Sequence, residues 1–243
     1  MEIWPAIDLC GGKCVRLVQG DYDRQTIYAD DPVEVARHWV ELGAQRLHLV
    51  DLDGARDGST GNWDVARAIV EAVEIPCQLG GGIRDEETIA RLLEAGLSRL
   101  VIGTRAAKDP DWFGGVCRRF PGQLVAGIDA RDGKVATDGW QQVVDVDAVE
   151  LALQLSNEPL AAVVYTDIAQ DGMLQGPNLE AMKQMQQEVR LPVIASGGVT
   201  TLEDVQSLAE AGLAGCIVGK ALYEGRLSLP DILDRADDQL PQL

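Results

Sequence analysis

The chain is short of positive charge. Its 21 lysines and arginines stand against 39 aspartates and glutamates, a formal net charge of −18. Such a field argues against nucleic acid or an anionic membrane as partner, and any anionic ligand must be held by locally placed donors. No apolar run is long enough to span a bilayer, and the opening residues 1–9 lack the basic start of a secretory signal. A cytoplasmic, monomeric protein is expected. The five cysteines are odd in number and scattered: Cys77 and Cys216 sit in strand-like runs, Cys117 in a helical one, and Cys10 and Cys14 lack a second pair of ligands nearby. Neither a disulfide framework nor a zinc site follows, and buried or incidental thiols are expected. Metal-ligand clusters are missing, so no metal or other cofactor is expected. No Pro/Ser-rich linker divides the chain, which reads as one domain over residues 1–243 with halves of about 1–120 and 121–243.

What is present is ordered. Residues are 46% apolar and 25% charged, ordinary for a globular chain whose 243 residues can bury a sizeable core. Apolar runs of strand length fall at Ile3–Ile7, Arg46–Leu52, Pro76–Leu79, Arg99–Ile102, Leu124–Ile128, Ala162–Asp167, Pro192–Ala195 and Gly215–Val218. Amphipathic segments follow them at Pro32–Leu42, Asn62–Ala72, Glu86–Ala95, Pro110–Arg119, Val146–Leu155, Leu179–Val189, Leu202–Ala211 and Leu229–Asp237. Strands rich in Val, Ile and Leu without alternation suggest a parallel sheet buried on both faces. Eight βα units predict a closed (β/α)8 TIM barrel. The alternative, a doubly wound open sheet, would ordinarily carry a Gly-rich loop after its first strand, and none is present.

The chain also repeats itself. Ile75–Ala106 lies over Leu191–Leu222 without a gap at a displacement of 116, and Pro76, Gly81, Gly82, Glu87, Leu92, Glu94, Ala95, Gly96, Leu97 and Gly103 all meet identical residues. Glycines after a strand let the backbone turn tightly and bring N–H groups close to an anion. One Gly-Gly pair is an ordinary turn. Here Gly81-Gly82 with Gly103-Thr104, and Gly197-Gly198 with Gly219-Lys220, make two matching corners half a turn apart around the barrel. The corner after strands seven and eight is where barrels commonly hold phosphate.

Polar residues at strand ends mark the reactive mouth. Asp8 closes strand one, Asp51 and Asp53 strand two, Asp129 strand five, and Thr166-Asp167 strand six. The repeat reaches Asp8-x₃-Gly12-Lys13 and Asp129-x₃-Gly133-Lys134, now displaced by 121. A lone Asp there often just stabilises the following turn. Two at equivalent positions suit acid/base chemistry, given environments that separate their pKa values. Asp51 and Asp53 read as supporting or turn groups, His48 as a hydrogen-bonded core histidine and His38 as a helix-surface residue. An elongated bisphosphate passing between Asp8 and Asp129 satisfies this layout, whether for a decarboxylase, an aldolase or an isomerase. With no strand-end Lys suited to a Schiff base and no metal cluster, cofactor-free isomerisation is favoured.

Pro5-Ala-Ile-Asp-Leu9, Val15-Arg-Leu-Val-Gln-Gly20, Leu47-His-Leu-Val-Asp-Leu-Asp-Gly-Ala55, Gly80-Gly-Gly-Ile-Arg84, Thr166-Asp-Ile168, Asp171-Gly172, Gly176-Pro-Asn178 and Ala195-Ser-Gly-Gly-Val199 resemble the ProFAR isomerase family of histidine biosynthesis. The resemblance covers about residues 1–235. It implies an Amadori rearrangement that converts a bisphosphorylated aminoaldose ribotide into an aminoketose. It also implies Asp8 as the base at sugar C2, Asp129 as the acid that assists ring opening, and Thr166 as its hydrogen-bonding neighbour. Arg84 and the four glycine corners would hold the phosphates, with Asp171 among the substrate-binding groups. The related cyclase is expected to carry Lys before the glycine where this chain has Gln19-Gly20. Two alternatives stand beside this one. A dual-substrate isomerase also acting on phosphoribosylanthranilate could use Arg16, Arg131 and Trp140, and a non-catalytic phosphosugar-binding protein would keep the site without chemistry. The long segments Cys14–Pro32 and Lys134–Asp145 read as mobile loops that close over the ligand and bring Arg16 and Trp140 to it. The five-residue difference between the two displacements is expected within those segments.

Overall fold

A computed structural model describes residues 1–58 and 60–237. The first half runs β1 (Glu2–Cys10), a hairpin of β2 (Lys13–Val18) and β3 (Asp21–Ala29), α1 (Pro32–Glu41), β4 (Leu47–Asp51), α2 (Leu52–Asp57), α3 (Trp63–Ala72), β5 (Cys77–Gly80), α4 (Glu86–Glu94), β6 (Arg99–Ile102), α5 (Thr104–Lys108) and α6 (Pro110–Arg119). The second runs β7 (Leu124–Arg131), a hairpin of β8 (Lys134–Thr137) and β9 (Gln142–Asp147), α7 (Ala148–Leu155), β10 (Ala162–Asp167), α8 (Leu179–Glu188), β11 (Val193–Ser196), α9 (Leu202–Glu210), β12 (Gly215–Val218), α10 (Lys220–Tyr223) and α11 (Leu229–Asp237). Residues 238–243, the end of the expected second half, lie outside the described residues.

Eight strands close in the order β1-β4-β5-β6-β7-β10-β11-β12, each parallel to its neighbours, with β12 returning to β1. This is the (β/α)8 barrel read from the sequence, and the helices surround it. Alternation along each strand sorts side chains into two cores. On β1, Ile3, Ile7 and Leu9 join the large core beneath the helices, whereas Trp4 and Ala6 join a smaller cluster inside the barrel with Val125, Ala162, Val164, Ile194 and Ile217. Both faces are dry, so the strands read as continuous apolar runs. Helix starts are fixed locally: Asp31, Asp85, Asp109, Asp147 and Asn178 each accept a first-turn N–H, and Thr201 with Asp204 forms a reciprocal capping box. Among the described residues no helix is long and apolar enough to cross a membrane. The cysteines are free, four of them buried.

The end of the barrel opposite the site is plugged. Trp4 is buried, its indole donates to Glu2 at 3.2 Å, and the guanidinium carbons of Arg46 and Arg99 stand 5.3 and 5.8 Å from its ring centroid. Glu2 pairs with both arginines, so the cations are neutralised beside the ring they cover.

The two long segments depart from the sequence reading. They are not irregular loops but β-hairpins that prolong β1 and β7, antiparallel through Asp8↔Val15 and Asp129↔Ala136. Their turns, Gly11-Gly12 and Asp132-Gly133, have positive φ at both residues, the geometry that two-residue hairpins require. The difference between displacements of 121 and 116 falls in these hairpins, because the N-cap residues immediately after them, Asp31 and Asp147, are already 116 apart.

Candidate active site

The carboxyl ends of the strands and the two hairpins enclose a cavity of about 500 Å³. Asp8, Arg16, Asp129, Trp140, Thr166 and Asp171 all line it, as do Gly81, Gly82, Arg84, Gly103 and Thr104 on one side and Gly197, Gly198, Gly219 and Lys220 on the other. Arg131 is exposed and takes no part in the lining. In the barrel order β1 and β7 are four strands apart, so Asp8 and Asp129 stand on opposite walls.

Asp8 points inward from β1 because it shares parity with Trp4 and Ala6. Irregular register between β2 and β3 on either side of Arg16 twists that hairpin and turns the arginine into the mouth. There Arg16 Nη1 lies 2.8 Å from Asp8 Oδ2, and Nη2 lies 4.0 Å from Asp171 Oδ1. Burial pushes the Asp8 carboxyl up to about 6; Arg16 pulls it down and Asp171 raises it further. Asp171 is itself held up by burial against the opposing pull of Arg16 and Lys220. Burial likewise raises Asp129, against hydrogen bonds from the Trp140 indole and the Thr166 hydroxyl. Thr166 stands beside Asp129 in the β7–β10 register. Dry surroundings set against a few aimed donors are what place carboxyl groups within reach of neutral pH.

Each glycine corner is built against the carbonyl of a capping aspartate. Gly81 has φ +102°, and a Cβ there would strike the Asp51 carbonyl oxygen; Gly197 has φ +93°, and a Cβ would lie 2.6 Å from the Asp167 carbonyl oxygen. Only glycine satisfies both the conformation and the approach. The two aspartates are held alike, with Asn62 Nδ2 2.6 Å from Asp51 and Asn178 Nδ2 2.6 Å from Asp167. These pairs are also 116 apart, so the repeat extends into the second βα unit, where the sequence reading had not followed it. Asp53 is a supporting group, accepting the Gly11 N–H at 2.6 Å.

The corners differ in their cations. Lys220 Nζ donates to the Gly172 carbonyl at 2.9 Å, and the Arg16 guanidinium lies over Gly219, whose Cβ would come within 2.5 Å of it. On the other side the Arg84 guanidinium packs over Gly58. Thr104, expected only as an anion ligand, accepts the Asp138 N–H at 2.9 Å through its hydroxyl oxygen, because β8 passes directly above α5. Asp138 in turn accepts from Lys108 at 2.7 and 2.8 Å. No sequence motif signals that pair, whose members come from different units. Gly103 and Gly219 stand at the N-caps of α5 and α10 and line the cavity, and neither has a side chain to cap the first-turn N–H groups.

The two hairpins meet over the cavity. Asp138, Gly139 and Trp140 have φ of +56°, +63° and +69°, a costly run for which Trp is an unusual occupant. It brings the Trp140 ring onto Gly20, where a Cβ would lie 2.6 Å from Cε3. Gln19 Nε2 donates to the Ala169 carbonyl at 3.1 Å, and Tyr22 donates to the Leu52 carbonyl at 2.7 Å. Of the two histidines, His38 is exposed; His48 bonds to Gln78 as a core histidine would, yet it also lines the cavity.

Comparison with known proteins bears directly on this geometry. Residues 2–228 match the family model described as "Histidine biosynthesis protein". A relative from Rhodopirellula baltica is 56% identical over 241 residues, covering 98% of this chain and 95% of its own length. Relatives from Synechocystis sp. and Alcanivorax borkumensis are 52% and 51% identical, covering 96% and 95% of this chain and 92% and 96% of their own lengths. Each of the three is named 1-(5-phosphoribosyl)-5-((5-phosphoribosylamino)methylideneamino) imidazole-4-carboxamide isomerase.

Proposed function

Since the chain belongs to the histidine biosynthesis protein family, we propose that it is the isomerase its relatives are named for, acting on a substrate with a phosphoribosyl group at each end. The observation that carries this reading is the doubled corner. Gly81-Gly82 and Gly197-Gly198 face each other across one cavity with Asp8 and Asp129 between them, a layout suited to a ligand anionic at both ends and reactive in the middle.

The reaction is an Amadori rearrangement. Asp129, whose carboxyl pKa is raised by burial, gives its proton to the ring oxygen as the glycosylamine opens, and Thr166 and Trp140 hold it in place. Asp8 then takes the proton from C2 of the opened, protonated imine, leaving an enolamine; protonation at C1 with loss of the 2-hydroxyl proton gives the aminoketose. Arg16 orients Asp8 and keeps it from being fully protonated, and Asp171 holds Arg16 from the other side. Backbone N–H groups with Arg84 bind one phosphate, and backbone N–H groups with Lys220 bind the other. Trp140 and the hairpin tips cover the intermediate and exclude water.

The test is turnover of the bisphosphorylated aminoaldose beside phosphoribosylanthranilate. Conversion of the first is expected. Failure to convert it, by folded protein at saturating substrate, would reject the reading. Of the three residues weighed for the second substrate, Arg16 and Trp140 line the cavity and Arg131 lies outside it, so the paired assay decides between one substrate and two.

A further inference from the structure

Beneath the layer of Asp8, Asp129 and Thr166, a polar pair faces the barrel interior beside an otherwise apolar cluster. His48 on β4 and Gln78 on β5 are neighbours in register and both turn inward, 7% and 0% exposed. At the positions 116 residues on, the second half carries Val164 and Ile194, both in the apolar cluster inside the barrel. The polar pair is therefore a departure from the repeat, confined to the half that carries Asp8.

Its hydrogen bonding is one-sided. Gln78 Nε2 lies 2.8 Å from His48 Nδ1. An amide nitrogen only donates, so Nδ1 accepts and the proton of the neutral ring sits on Nε2. Gln78 Oε1 is left buried without a partner among the described residues, whereas His48 Nε2 is not sealed off in that way. His48 lines the cavity and Gln78 does not, so the ring meets the cavity through Nε2–H. We propose that His48, held in this tautomer by Gln78, donates a hydrogen bond to an oxygen of the substrate's central sugar, with Gln78 as its positioning residue. This rests on the isomerase reading above.

Charge explains why a neutral donor serves here. Burial first, and then the Arg16 guanidinium, hold the imidazole's pKa down to about 3. Arg16 from β2 is the charged group that bears on it, Asp8 stands one layer above on the neighbouring β1, and Gln78 on β5 carries no charge. An imidazolium at this place would repel Arg16 and attract the Asp8 carboxylate, weakening it as a base. A neutral Nε2–H polarises an oxygen without competing for Asp8.

The chain has only two histidines, so nitrogen-15 imidazole spectra of the wild type and of His38→Gln assign His48 directly. A neutral Nε2–H ring is expected across about pH 5 to 8, with the Nε2 resonance shifting on saturation by a product analogue. His48→Leu is expected to lower kcat/KM about tenfold or more, as for loss of one hydrogen bond in a dry site, with His48→Gln recovering part. Gln78→Leu should blur the tautomer and lower kcat more than it raises KM. Gln78→Glu, which puts a carboxylate on Nδ1, should draw His48 protonation into the working range and add an ionisation to the pH profile. The inference is overturned by an Nδ1–H ring, by an Nε2 resonance indifferent to ligand, or by wild-type kcat and KM in folded His48→Leu. The spectra decide the matter if His48→Leu does not fold. Wild-type protein that leaves the aminoaldose unconverted would reject the isomerase reading instead, a result the variants alone cannot produce.

Discussion

Asp8 is a buried carboxyl whose folded-state pKa, about 6, lies above its ordinary value of 3.8. Two consequences follow with definite sign. As a base it must be ionised, so kcat/KM should fall as pH drops through about 6, and Asp8→Asn should lower turnover by at least ~10²-fold. Near wild-type turnover in the folded variant would remove Asp8 from the mechanism. For stability, the folded chain binds this proton more tightly than the unfolded chain. Asp8 therefore weakens the fold above its folded pKa, and that penalty fades as pH falls from about 6 toward 4. The stability of Asp8→Asn relative to wild type should shift in the variant's favour by about 2 kcal/mol between pH 4 and 8. Denaturant melts at the two pH values measure it, and a pH-independent difference would mean that the carboxyl is not buried as described. Removing the charge also leaves Arg16 with only Asp171 beside it, so the pH dependence, rather than the absolute difference, is diagnostic.

At the scale of elements, the hairpins form a latch through Gly20 and Trp140. Gly20 has φ +76° and no room for a Cβ beneath the indole. Gly20→Ala should separate the tips, loosen the Trp140 hydrogen bond to Asp129 and lower kcat/KM about tenfold or more, the scale on which misplaced covering groups act. Hydrogen exchange with and without a product analogue reports the same event: both hairpins should gain protection on saturation in the wild type and less in the variant, and unchanged protection in the wild type would end the lid idea. The barrel strands were legible in the sequence because both of their faces are dry. The hairpins were not, since β3 and β9 are exposed along most of their length. The glycine corners were legible through their repetition. Asp51 with Asn62, and Asp167 with Asn178, become visible once the same offset is carried further back. His48–Gln78 and Lys108–Asp138 are pairs made by the folded chain from separate units, and neither residue type in isolation points to its partner.

On the scale of the molecule, a net charge of −18 surrounds the proposed two-corner site, so recognition of an anionic ligand would rest on short-range donors rather than on attraction at a distance. Inorganic phosphate should compete with substrate, and crystals soaked in it should show two anions on opposite sides of the mouth; a single anion, or two on one side, would contradict the two-corner site. The repeat has a further consequence. A cradle with twofold pseudosymmetry has no inherent head or tail, and a ligand with a phosphate at each end could be threaded through it in either sense, only one of which brings the reacting carbon to Asp8. What distinguishes the ends is the set of positions where the halves disagree: Thr166 against Val50, Arg84 against Thr200, Lys220 against Thr104, and His48 against Val164. In the proposed reading the matched residues make the grip and the mismatched ones give it polarity, as an asymmetric pin keys an otherwise symmetric plug.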